Sequence, residues 1–343
     1  MNKEISVVHI DTEKYWGGGQ NQVFLLHKHL IKRGVKSVVF TPSASPLLKK
    51  IKSAGLPAMP LFLRTLILFV LHHKSNVMHC HSGKSYYYGI ILKMLFPKIK
   101  LVFTRRIMSI PKFIKFKAHI ADHIICVSTP VMNALEKAGV SNEKMTVVYD
   151  GVEPEQQPVS QPNWFTEDAF VVGTVGSLMD YKDHYTLIKG FADFHRKFES
   201  SKLVIIGDGP EKKKLQEFVK ELGIAEYVIF TGFLENAAAH IKFMLVFVIT
   251  SAFAESFCTS IIDAFFAKTL VIATDTGGIY ELVKDKETGV LIPVKDAERL
   301  SLELEGIYRG KVDTARLIEN AYNHAQNFTA EKMCEGNMRV YES

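Results

Sequence analysis

Short apolar runs alternate with longer amphipathic stretches along almost all of this chain, and few folds accept that pattern. In the first half Ile5–Ile10, Val38–Thr41, Pro60–Leu63, Leu101–Thr104, Ile124–Val127 and Met145–Tyr149 read as strands, as does the run from Val77 to His81. Between them Gln20–Lys32, Pro46–Ala54 and Val131–Lys137 carry helical periodicity. The second half repeats the pattern. Its predicted strands are Val171–Val175, Lys202–Ile206, Tyr227–Thr231, Phe243–Ile249, Leu270–Ala273 and Gly289–Pro293. Its predicted helices are Tyr185–Phe198, Glu211–Leu222, Ile261–Ala267 and Glu298–Tyr308. A strand that is apolar on both faces must be covered on both, and helices returning between parallel strands do this. The expected class is therefore α/β, with two doubly wound, Rossmann-like halves and a cleft between them.

The divider is Pro154 to Asn163, whose prolines and polar side chains cannot build a core. Residues 1–153 are expected as one domain, 154–163 as the linker and 164–325 as the other. Thr314–Tyr341 reads as helical with an interruption near Asn327.

Composition narrows the class more than the function. A chain of 343 residues, 47% hydrophobic and 23% charged, is globular and long enough for two cores. Leu66–Leu71 and its neighbours fall short of the roughly 20 apolar residues of a membrane span. The opening Met-Asn-Lys-Glu-Ile-Ser-Val-Val reads as a strand start rather than a signal peptide. Cys80, Cys126, Cys258 and Cys334 show no close pairing pattern. Reduced thiols in a cytoplasm are thus expected over disulfides or a metal site.

Charge is divided unequally. Residues 1–150 hold 22 Lys and Arg against 7 Asp and Glu, a net +15, while residues 151–343 hold 20 against 29, a net −9. The basic half suits an anionic lipid surface, a phosphorylated glycan or, last, nucleic acid, for which no zinc-finger or RNA-binding aromatic pattern is present. Lys112, Lys115 and Lys117 are interleaved with Ile110, Phe113, Ile114 and Phe116, after Arg105 and Arg106. That pattern fits a surface pressed on anionic lipid, and equally an ordinary amphipathic helix with a solvated lysine face.

The densest chemistry lies between Thr250 and Glu281. A buried strand ends on polar residues, Glu255 opens Ser256-Phe257-Cys258-Thr259-Ser260, and a helix carrying Asp263 follows. The N-terminus of a helix offers free N–H groups to an anion, and carboxylates beside it accept hydroxyl protons. Phosphate with hydroxyls describes a sugar nucleotide, although a capped helix with two surface acids has the same residues. Gly17-Gly18-Gly19 after the first strand has the phosphate-cradling form of an α/β loop, weakly, since no G-x-G-x-x-G is present. His79 and His81 alternate at a strand end, which suits a packed, hydrogen-bonded pair; metal binding would need a third ligand that is not evident nearby.

Glu255 and Asp263 together resemble the E-x7-E motif of GT-B retaining glycosyltransferases, family 4 in particular. The resemblance extends over nearly the whole chain. It implies that Glu255 meets the transferred sugar, that backbone N–H groups of the loop at Phe257, Cys258 and Thr259 hold the donor's phosphate or sugar, and that Asp263 grips the ribose. It implies further that Lys182 carries the diphosphate, that Gly18 and Gly19 lie against donor phosphates, that Gly232 and Phe233 form the base-binding turn, and that His81 reaches the sugar. Residues 326–343 would cross back onto the first domain. Departures are Ser177 in place of an arginine, Ser256 and Cys258 in place of glycines, and Tyr280 in place of a proline. Lys182 is then left with most of the phosphate neutralisation.

By the same resemblance the expected activity is retaining transfer of a hexose, without metal or other cofactor, from a nucleotide diphosphate sugar, most commonly UDP-linked. The catalytic set would be His81, Lys182 and Glu255. The acceptor would be a glycan or lipid-linked glycan such as lipopolysaccharide, held by Arg105, Arg106, Lys112, Lys115 and Lys117. The expected place is the cytoplasm, with docking on the inner face of a membrane through the basic half and no nucleic-acid partner. A nucleotide-sugar epimerase of the same fold, or a non-catalytic nucleotide-sugar-binding protein, remains open as an alternative.

Overall fold

The computed structural model describes residues 4–154, 159–253 and 255–343; Glu155–Pro158 of the expected linker and Ala254 lie outside them. The chain divides into two compact units, Met1–Glu153 with Phe328–Ser343, and Pro154–Asn327.

Seven parallel strands form the sheet of the first unit: β1 (Ser6–Ile10), β2 (Lys36–Thr41), β3 (Ala58–Pro60), β4 (Val77–Cys80), β5 (Lys100–Arg105), β6 (His123–Cys126) and β7 (Met145–Val147). Their order is β3-β2-β1-β4-β5-β6-β7, so the chain reverses its winding between β1 and β4. Ile10 pairs with Cys80 at the C-terminal end of that junction. Both faces are covered, as the unbroken apolar runs require: Val7, Val39, Val77 and Val102 share a core with Val23, Leu26 and Leu30 of the helix Gly18–Lys32. Each such side chain is at most 2% exposed and contributes about 1.5–3 kcal/mol on burial. Met333, Cys334, Val340 and Tyr341 of the helix Ala330–Glu342 belong to the same core. The turn before that helix is fixed by two backbone bonds, Val152 N–H to Phe328 O at 3.0 Å and Ala330 N–H to Val152 O at 2.9 Å.

The second unit has six parallel strands: β8 (Phe170–Val175), β9 (Ser201–Ile206), β10 (Val228–Gly232), β11 (Val246–Ile249), β12 (Leu270–Thr274) and β13 (Val290–Ile292). Their order, β10-β9-β8-β11-β12-β13, places the winding reversal between β8 and β11. In this core Phe191 and Phe194 of the helix His184–His195 are fully buried against Val172, Leu203 and Leu300. A glycine is required at 207, where φ is +144° and a Cβ would stand 1.9 Å from Gly176 O. That close crossing fixes the loop leaving β8.

Three local differences from the sequence pattern have physical causes. The apolar run around Leu66–Leu71 belongs to a helix, Leu63–His73, that leaves Leu68 and Leu71 on the surface. Ser85–Leu95 is a helix that periodicity did not mark, because apolar side chains surround it on every side. The run expected as strand from Phe243 begins only at Val246, since Ala237–Phe243 winds into a 3-10 helix with Phe243 against Trp164 and Phe165. Among the described residues no helix is long and apolar enough to cross a membrane, and the four cysteines are free and buried.

Candidate active site

Open α/β sheets collect ligands at the C-terminal ends of the strands where the winding reverses. In the second unit that point lies between the loops after β8 and β11. The loop after β8 passes through Gly176 and the exposed Ser177 to a single 3-10 turn, Asp180–Lys182. Asp183 is left-handed at φ +48°, and its carboxylate accepts from the Thr186 N–H and hydroxyl, so the next helix starts directly after the lysine. Thr250, at the end of β11, donates its hydroxyl to Asp183 O at 2.9 Å and ties the two loops together.

Across this junction the Lys182 ammonium forms an ion pair with Glu255, and Ser251 Oγ donates to the same carboxylate oxygen at 2.8 Å. The side chains are 16% and 12% exposed. Burial works against the charge on Lys182, yet the neighbouring Cys258 and Glu255 hold its pKa above the ordinary lysine value. Cys258 itself is buried at the N-terminus of the helix Thr259–Phe266, where burial raises the thiol pKa and Lys182 partly offsets that shift. No side-chain oxygen caps this helix; the Ile261 N–H bonds back to Cys258 O at 3.1 Å, and the N–H groups ahead of it, of Thr259 and Ser260, are the ones offered to an anion. The arrangement thus joins a fixed ammonium, a partly buried carboxylate and a helix N-terminus, the chemistry suited to a phosphate ester of a polyhydroxy compound. Tyr181, whose ring lies 5.4 Å from Lys182 Nζ, and Ser251 belong to this cluster, and no motif singled them out.

Three other expected donor residues lie elsewhere in the unit. Gly232 ends β10 at φ +75° and is followed by Phe233, 68% exposed, a ring free to stack on a flat ligand. Asp263 lines a pocket of about 410 Å³ whose walls include Lys242, Phe266 and Tyr322 rather than Lys182 or Glu255.

In the first unit the junction of β1 and β4 gathers more than the expected histidine. A third imidazole, His9, comes from β1, and the ligating atoms of His9, His79 and His81 lie within 4.8 Å of one another. The third ligand that the sequence did not reveal is therefore present, with the composition of a zinc site. The hydrogen bonds favour another use. His79 is engaged at both nitrogens, by Tyr341 OH at 2.6 Å and Thr104 Oγ1 at 2.5 Å. Arg106 Nη1 lies 3.4 Å from His81 Nδ1, so a cation bound there would face the guanidinium.

Protons in this cluster follow from donor inventory. Arginine only donates, so His81 accepts at Nδ1 and, being neutral, carries its proton on Nε2. It then donates to His9 Nδ1 at 2.9 Å, and His9 keeps its proton on Nε2, an atom without a partner among the described residues. Burial, the largest cause for each, holds all three pKa values well below the usual imidazole value. Arg106 is set by Asp150, whose Oδ1 accepts from Nε at 3.2 Å, and its Cδ would lie 3.8 Å from a Cβ at Gly19. Gly18, facing open space, starts the helix Gly18–Lys32, whose N-terminus also has no side-chain cap.

The proposed basic acceptor surface is only partly where the sequence put it. Lys112 and Lys115 are exposed beside Phe113 and Phe116, which are 76% and 60% exposed. Lys117 is not a surface lysine: it is buried, with Tyr87 on its ammonium at 4.7 Å, because it lies on the inner side of the short helix Ile114–Ile120. Arg105 is likewise buried, and Arg106 half-buried.

Two parallel sheets with these junctions define the GT-B class of glycosyltransferase fold. The crystal structure of Anabaena Alr3699/HepE in complex with UDP has a TM-score of 0.86 to this chain, at 18% identity, covering 98% of this chain and 99% of that one. Residues 16–156 match Glycosyltransferase Family 4 and residues 156–324 match Glycosyl transferases group 1. The chain belongs to glycosyltransferase family 4. EpsD of Bacillus subtilis is 27% identical over 189 residues, 55% of this chain and about half, 49%, of its own length. An N-acetylgalactosamine-N,N'-diacetylbacillosaminyl-diphospho-undecaprenol 4-alpha-N-acetylgalactosaminyltransferase of Campylobacter jejuni is 30% identical over 162 residues, 47% of this chain and 43% of its own.

Proposed function

We propose that this protein is a retaining, metal-independent hexosyltransferase that moves a sugar from a UDP-linked donor to a hydroxyl of a glycan or lipid-linked glycan, such as lipopolysaccharide or another cell-envelope polymer. The observation that carries this reading is the Lys182–Glu255 pair beside an uncapped helix at the winding reversal of the second sheet. A donor would take over both partners: its diphosphate the ammonium, its sugar hydroxyls the carboxylate. In the transfer step the acceptor oxygen bonds to the anomeric carbon on the face from which the diphosphate oxygen departs. The acceptor proton passes to that departing oxygen, and Lys182 with the helix N–H groups stabilises the charge developing there.

Incubation with a panel of UDP-, GDP- and ADP-sugars plus acceptor glycan tests the reading through nucleoside diphosphate release and the anomeric configuration of the product. Release with retained configuration is expected for a UDP-sugar. Isomerised nucleotide sugar without acceptor would make the protein an epimerase, and tight binding without turnover would make it a non-catalytic receptor.

In the first unit His81 is the residue assigned to the reacting sugar, and His9 positions it. Replacing His9 by leucine should lower kcat about tenfold, the scale of one lost buried hydrogen bond, with little change in donor KM. His9→Asn, whose Oδ1 replaces the accepting Nδ1, should restore most of it. Equal losses in both variants, or a loss confined to KM, would make His9 a packing residue only.

The place proposed for the enzyme is the cytoplasmic face of a membrane, with Phe113 and Phe116 entering the headgroup region and Lys112 and Lys115 meeting anionic lipid. Each lysine near such a surface contributes on the order of 1 kcal/mol. Sedimentation with phosphatidylglycerol vesicles should therefore exceed that with phosphatidylcholine and fall with salt. Equal, negligible binding to both at low salt would exclude it.

A further inference from the structure

Among the described residues, Arg105 and Lys117 are largely buried cations of the first unit with no ion-pair partner. Arg105, at the C-terminal end of β5, is 5% exposed; its guanidinium donates to Ser109 Oγ at 3.3 Å, while Nε has no partner among the described residues. Lys117 is also 5% exposed, and the recorded neighbours of its ammonium are aromatic faces, Tyr87 at 4.7 Å and Tyr86 at 6.0 Å. Tyr86 links the two neighbourhoods, since its hydroxyl donates to Thr104 O, next to Arg105, at 2.8 Å. Buried charges are ordinarily paired, and an aromatic quadrupole attracts a cation without neutralising it. The local sequence cannot supply the missing anion, since no Asp or Glu occurs from Lys14 to Lys117. Nearby acids are already taken: Asp122 by Lys93 at 2.6 Å and Asp150 by Arg106 at 3.2 Å.

We propose that Arg105 and Lys117 form a binding site for a phosphate or diphosphate group, the counter-charge that the fold itself leaves out. The planar guanidinium fork can take two phosphate oxygens while the ammonium serves as a point charge. Tyr87 has its ring on Lys117 and is 55% exposed, so the site lies within one side chain of solvent. A phosphorylated acceptor would give the site its purpose, and in that respect alone the inference rests on the glycosyl-transfer reading.

The test uses the full chain with UDP in excess, so that a diphosphate site in the second unit is filled. Inorganic pyrophosphate is then titrated by calorimetry into the parent, Arg105→Met, Lys117→Met and the surface control Lys49→Met. The expected result is binding to parent and control that weakens at least tenfold in each of the other two. In anion-free buffer both Met variants should melt at or above the parent temperature, because an unpaired buried charge has been removed. A parallel arm measures binding to phosphatidylglycerol vesicles. Vesicle binding that needs Arg105 and Lys117 identifies a lipid headgroup as the source, and pyrophosphate binding alone identifies a soluble phosphate. No binding of either probe that depends on these two residues would overturn the inference, as would Met variants that melt lower with and without anion. A rise in melting temperature with UDP reports on the donor site separately, so its absence would count against the transferase reading and leave this one standing.

Discussion

Replacing Lys182 by alanine is expected to slow transfer about a hundredfold or more, the scale of losing one group that stabilises developing charge. Affinity for UDP should fall with it, since Ser177 offers a hydroxyl where the family has a second cation. The variant also strands Glu255, which keeps the Ser251 hydroxyl but loses its ion pair. Fold stability should change far less than turnover, because Thr250 and Asp183 hold the loop without the lysine side chain. Initial rates and UDP titrations, read beside thermal melts, separate these effects. Unchanged turnover and unchanged UDP affinity would reduce Lys182 to a structural lysine at a helix start.

The second large effect is acid sensitivity, concentrated in the first unit. His9, His79 and His81 have pKa values driven well below 6.5 by burial, and His27 is lowered to about 4 by the same cause. The second unit has one comparable group, His184, at about 4 through burial and then Lys182. Depressed histidines bind protons in the unfolded chain first. Their contribution is complete above the unfolded value near 6.5 and is lost as pH falls toward the folded values. For His27 the loss by pH 4 is about 3 kcal/mol, against a typical stability of about 5–15 kcal/mol. Asp11 and Asp150, raised by burial, act in the opposite direction and offset part of it. The expected result is a melting transition of the first unit that falls steeply between pH 6.5 and 4.5, ahead of the second. A melting profile flat from pH 7 to 5 would contradict it.

Much of the architecture was legible because apolar run length is a direct readout of a strand buried on both faces. Val246–Ile249 and Leu270–Thr274 could hardly be anything else once flanked by polar turns. Helices were less legible where their surroundings are unusual: Ser85–Leu95 has a polar pattern too weak to mark because Tyr87, Ile91 and Met94 face outward. Within the site, Lys182 and Glu255 could be marked individually from local motifs, while their pairing across 73 residues could not. His9 was missed for the same reason: one histidine in β1 means little until β4 is known to lie beside it. Lys117 shows the converse, a residue that looked like part of a basic surface until the helix phase turned it inward.

The helix Ala330–Glu342 has a consequence for the order in which the molecule can be made. Tyr341, whose hydroxyl bonds His79, and Met333 complete the core of the first unit. A ribosome adds these residues only after it has translated all of Pro154–Asn327. The contiguous second unit can therefore close while the first still has apolar surface unfilled beside its helix Gly18–Lys32. Biogenesis thus runs against the usual N-terminal-first order of nascent chains. The Tyr341 bond to His79 is made last, so a nascent chain cannot present a finished first unit before the second has emerged.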